Sequence, residues 1–60
     1  MKLKVNDVVI IGSGNRLRVV TKVSDESPEV LTDDRMWFGL KDIRQAFRYN
    51  DDKQTMEEVK

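Results

Sequence analysis

The 60-residue chain has no cysteine and no histidine. Without thiolate or imidazole there is no disulfide staple, and the usual structural zinc ligands are missing. Nucleophile–base pairs built on histidine are excluded too, so Ser13, Thr21, Ser24, Ser27, Thr32 and Thr55 lack their ordinary base. No catalytic residue, metal or cofactor is expected. Long apolar runs are missing as well: the run Val8 to Ile11 is far below a bilayer span, and no signal peptide is expected in residues 1–12. There is no excess of charge, with 11 basic and 11 acidic residues, so the whole molecule is not a polycation drawn to nucleic acid. The thiol-free composition fits a cytoplasmic setting, with no membrane partner. A chain this short buries only about 60% of its unfolded surface, so its stability must come from one compact core or from self-association.

The charges that are present are segregated. Residues 1–24 carry five basic groups and one acidic, whereas residues 25–34 carry five acidic groups and none basic. Residues 35–49 are again basic, four against one, and residues 50–60 are acidic, four against two. A neutral chain of this kind can present a basic face and an acidic edge.

The apolar pattern is that of strands. Leu3 and Val5 alternate with Lys2 and Lys4, and Asn6-Asp7 breaks into the β-branched run Val8 to Ile11. Gly12-Ser13-Gly14-Asn15 tolerates the positive φ of a tight reversal. A phosphate cradle would need a helix after it, and Arg16 to Thr21 is strand-like. In the following strand Leu17, Val19, Thr21 and Val23 share one face, expected to be interior, with Arg16, Arg18, Val20 and Lys22 on the other. Ser24 to Glu29 is a polar connection around Pro28. Val30 to Thr32 forms a third strand, Asp33-Asp34 a turn, and Arg35 to Leu40 a fourth strand with Trp37 outward and Met36, Phe38 and Leu40 inward. Ile43, Ala46 and Phe47 fall at helical spacing, with Asp42 as a cap. Residues 1–49 make the domain, and residues 50–60 read as a polar, flexible tail with transient helix near Gln54 to Val59.

Short strands with tight turns predict a mainly β fold, a small barrel of four to five antiparallel strands with a short C-terminal helical turn. Here the chain resembles the SH3-like barrel group. Many small bacterial and phage members open with a K-V-x-D-x-V element and close with a strand followed by an L-x-D-I-R-like helical turn. The matching residues are Lys4-Val5-Asn6-Asp7-Val8-Val9 and Leu40-Lys41-Asp42-Ile43-Arg44. The resemblance implies a fold rather than one activity. Ile10-Ile11-Gly12-Ser13-Gly14 stands where peptide-binding SH3 domains have an aromatic A-L-Y-D-Y loop, which argues against proline-rich ligands. No glycine follows the basic residues of the second strand, as the ribosomal KOW pattern would require.

With that register, Arg16, Arg18, Lys22, Arg35 and Trp37 form an outward surface, extended by Arg44, Arg48 and Tyr49. Indole beside guanidinium is enriched at protein hot spots and also suits stacking on bases. A reversed register, or the tail folded over Trp37, would instead cover the indole, and Arg44 and Arg48 would be the solvated face of a short helix. Asp25, Glu26, Glu29, Asp33 and Asp34 make an acidic edge that discourages strand pairing. The expected function is a non-enzymatic protein-binding module of phage or mobile-element type, acting on a host protein. The alternative is a nucleic-acid-binding barrel using the basic hairpin face. A monomer or weak homodimer is expected.

Overall fold

A computed structural model describes residues 2–60. It contains β1 (Val8–Ile11), β2 (Leu17–Val23), β3 (Glu29–Thr32), β4 (Trp37–Gly39), a single 3₁₀ turn (Leu40–Asp42), β5 (Ile43–Asn50) and β6 (Thr55–Glu58). The six strands form one open antiparallel sheet in the order β4-β3-β2-β1-β5-β6. The mainly β expectation holds, with six strands rather than four or five.

Each reversal has a local cause. Gly12 supplies a φ of +69° at the start of the β1–β2 turn. The Ser24 hydroxyl accepts the Ser27 backbone N–H at 3.2 Å, bending the chain ahead of Pro28. In the β5–β6 turn the Asn50 side-chain oxygen accepts the Asp52 and Lys53 backbone N–H groups.

Three segments depart from the sequence expectation. Ile43 to Asn50 is a strand, and the only helical turn among the described residues precedes it at Leu40–Asp42. Helical spacing of Ile43, Ala46 and Phe47 lost to a tertiary demand: Val8 and Ile10 need partners on the open side of β1, and Phe47 and Gln45 supply them. Residues 50–60 carry the final hairpin, in which Thr55 to Glu58 pairs with Phe47 to Asn50 where transient helix was expected. Leu3 and Val5 do not form a strand. Leu3 is buried and Val5 exposed, because Asn6 at φ 80° turns the chain between them and β1.

Leu3, Val9, Val20, Val30, Ile43 and Ala46 form the buried core, with Ile11, Val23, Leu40 and Val59 packed on it. It is built from aliphatic side chains, and each fully buried valine contributes about 1.5–3 kcal/mol. None of the four aromatic residues is buried. An irregularity between Val20 and Lys22 explains which residues face in. The extra residue resets the two-residue alternation, so Val20 and Val23, three apart, both reach the core.

That reset overturns the expected facing of β2. Leu17 is 60% exposed and Val20 0%, so the Leu17–Val19 row faces outward, while Arg18 and Val20 point inward. Across Met36 to Leu40 the expectation fares better: Phe38 and Leu40 are half-buried and Trp37 is exposed, although Met36 is exposed too.

Candidate functional interface

Cα partners across a sheet share a face, so the register alone assembles the outer surface. One row joins Leu17, Ile10 and Gln45; the next joins Val19, Val8, Phe47 and Glu58; a third joins Tyr49 and Met56. Leu17, Tyr49 and Met56 are exposed, Val8, Val19 and Phe47 half-buried, and Ile10 is buried by its neighbours outside the core cluster. The result is an apolar outer face crossing β2, β1, β5 and β6. Beyond the irregularity in β2, a further row joins Lys22, Leu31 and Trp37, with the indole 46% exposed.

The basic residues expected to form one surface are divided. Lys22 and Trp37 share a row, and Arg16 and Arg35 are exposed, Arg35 at φ 63° in the β3–β4 turn. Arg18 lies on the inner face, where its Nε donates to Asp34 Oδ2 at 3.0 Å and its guanidinium stands 5.1 Å from the Phe38 ring centre. It is not part of an outward basic stripe. The Thr32 hydroxyl donates to the same Asp34 carboxylate, and these two partners hold its pKa below the ordinary value of 3.8.

Arg44 and Arg48 act in the same way. Arg44 Nε donates to Gly12 O at 3.0 Å, and its Nη2 donates to Gly14 O at 2.8 Å and to Asn15 Oδ1 at 3.2 Å. Arg48 donates from Nε and Nη2 to the two Asp7 carboxylate oxygens, both at 2.8 Å, and from Nη2 to Lys2 O at 3.0 Å. Three arginines thus each pin a turn or the N-terminal segment to the sheet. Neither Arg44 nor Arg48 sits on a helix. We expect Arg44→Ala to leave the sheet intact while Gly12 to Asn15 become mobile, read as a loss of backbone order on the nanosecond scale by ¹⁵N relaxation.

The acidic residues are employed similarly at turns. Besides Asp34, Asp33 Oδ1 accepts the Val19 backbone N–H at 3.2 Å and Glu29 Oε1 accepts the Ser27 hydroxyl at 2.9 Å. Among the described residues no three acidic side chains converge in a way that would hold a metal ion. A concavity of about 660 Å³ runs between the N-terminal segment and the final hairpin. It is lined by Lys2, Arg48, Asn50, Glu57 and Val59 among others, and its charges are mixed.

Phe47, Met56, Val8 and Leu17 were missed as surface residues. The signal for Phe47 was present, since Gln45, Phe47 and Tyr49 alternate with Arg44, Ala46 and Arg48 at the strand period. Nothing in the residues of β2 announced its irregularity. No family model, curated protein or solved structure matches the chain.

Proposed function

We propose that the protein is a non-catalytic protein-binding module, a small SH3-like barrel whose recognition surface is the apolar outer face of β2, β1, β5 and β6. One observation carries this reading: the core is made of aliphatic residues, while Leu17, Tyr49 and Met56 stand exposed on this face and Trp37 in the row beyond it. Large apolar and aromatic groups left in water mark interaction surfaces, since they gain the most from being covered. The barrel reading is supported by the pairing of β1 with β5 around the β2–β3–β4 meander, and by the 3₁₀ turn at Leu40–Asp42. The alternative, nucleic-acid binding, has lost Arg18, Arg44 and Arg48 to internal hydrogen bonds and rests on Arg16, Lys22 and Arg35.

The test compares immobilised wild-type protein with two doubly substituted variants, each checked for folding. Leu17→Lys/Tyr49→Lys should lose captured protein, whereas Arg16→Glu/Arg35→Glu should retain it. An unchanged capture profile with the first variant would sink the reading. Binding of single- or double-stranded oligonucleotides that weakens steeply with salt would favour the alternative.

A further inference from the structure

The outer face ends at β6, whose far edge pairs with no other strand among the described residues. The Val59 N–H donates to Ala46 O at 2.8 Å, and the β5–β6 register gives Glu57 and Thr55 the same parity. In an antiparallel ladder a residue directs its N–H and C=O to the same side, so these residues address β5. The backbone groups of Met56 and Glu58 therefore point away from the sheet. Their side chains lie on the outer face beside Tyr49 and Phe47. β6 holds no proline and no irregularity in its pairing. The opposite edge is poorer: β4 has three residues and runs directly into the 3₁₀ turn.

The side chains of β6 define what it would accept. Glu57 is already engaged, by Asn50 Nδ2 at 2.9 Å and Lys53 Nζ at 3.7 Å. Glu58 makes no ion pair among the described residues. The hairpin around it carries Asp51, Asp52, Glu57 and Glu58 against Lys53 and Lys60.

Resting on the protein-binding reading above, we propose that an extended segment of the partner protein adds to β6 as a seventh, antiparallel strand. Its backbone hydrogen-bonds to Met56 and Glu58, as in other strand additions to a sheet edge. The register then sets its sequence. A lysine or arginine lies opposite Glu58, and two positions later an apolar residue lies opposite Met56 and lengthens the Tyr49–Met56 row. The residue between them faces Glu57, whose charge is already met, and is unconstrained. The recognised pattern is basic–any–apolar. A second copy of β6 fits poorly, because Thr55 to Glu58 contains no basic residue to set against Glu58.

The experiment titrates ¹⁵N-labelled protein with a peptide of about eight residues carrying Lys-Thr-Val in a serine/threonine frame, and with its glutamate-for-lysine counterpart. Shifts and slowed exchange are expected at the Met56 and Glu58 amides. The glutamate peptide should bind about tenfold more weakly, a difference of one decade in Kd. Glu58→Lys should reverse that preference, and the same substitution should weaken capture of the natural partner. Equal affinity for both peptides, or no shift at millimolar peptide, overturns the proposal. So does a peptide-free dimer in sedimentation with protected Met56 and Glu58 amides, which would make a second copy the occupant. If the Leu17, Val19 and Phe47 amides respond while Met56 and Glu58 do not, the edge inference fails and the outer-face reading stands.

Discussion

Arg48→Met should lower the melting temperature by about 8–24 °C. Asp7 is enclosed, 1% exposed, at the entry to β1. Its carboxylate accepts two hydrogen bonds from Arg48 and one from the Lys4 backbone N–H, all at 2.8 Å. Removing the guanidinium leaves a buried carboxylate facing only one donor. Breaking a fully enclosed pair in this way costs about 3–5 kcal/mol. The Arg48 side chain is 38% exposed, so screening by water moves the Asp7 penalty toward or below the lower end of that range, about 2–3 kcal/mol. In a domain of 60 residues each kcal/mol shifts the melting temperature by about 4–8 °C. Asp7→Asn should cost less, because the stranded arginine can turn to water. Circular dichroism melts of the two variants check the ranking, and equal losses would refute it.

The same clasp sets an acid response. Burial pushes the Asp7 carboxyl up, but the Arg48 hydrogen bonds, the Lys4 N–H and the attraction of Arg48 and Lys4 outweigh it and hold the carboxyl below 3.8. A depressed folded-state pKa stabilises the fold fully above the unfolded value, and that contribution disappears as pH falls through the folded value. Wild-type stability should therefore decline below about pH 4, with a shallower decline in Asp7→Asn.

How much of this was legible in the sequence can be judged strand by strand. The Val8 to Ile11 run, the Gly12 turn, the strand around Val30 and the outward Trp37 follow from β-branching, glycine and alternation, which act locally. β5 did not, because its residues satisfy two periods at once. Ile43, Ala46 and Phe47 fit a helix, whereas the row Gln45, Phe47, Tyr49 fits a strand. The choice was made by the unpaired side of β1, some 35 residues away in the chain.

The site was less legible than the fold for an electrostatic reason. A list of basic residues gives no sign of which will be consumed internally. Arg18, Arg44 and Arg48 look the same in sequence as Arg16, Lys22 and Arg35. Only the register places Asp34 beside Arg18 and Asp7 beside Arg48. The apolar face was concealed by the complementary error, since Leu17 and Val19 were expected to join Val23 in the core, where Val20 stands instead.

That reversal of β2 makes the sharpest contrast available in a pair of single substitutions. Val20→Lys should abolish the folded state, while Leu17→Lys should leave stability within about 1 kcal/mol of wild type. Val20 is 0% exposed in the core cluster with Val9, Val30 and Ala46, and the buried Asp7 carboxylate nearby is already engaged by Arg48 and the Lys4 N–H. An ammonium placed there either remains charged without a partner or gives up its proton, and both routes exceed the few kcal/mol that a 60-residue domain has in hand. Leu17 lies three residues earlier, yet its side chain stands in water above Ile10, where a lysine can lay its stem on the sheet and keep its charge solvated. Urea unfolding of Leu17→Lys and a ¹⁵N correlation spectrum of each variant read the outcome. Simple alternation counted back from Val23 demands the opposite ranking, with Leu17→Lys unfolded and Val20→Lys native. Dispersed amide resonances in Val20→Lys would return Leu17 to the interior, and the apolar outer face would cease to exist.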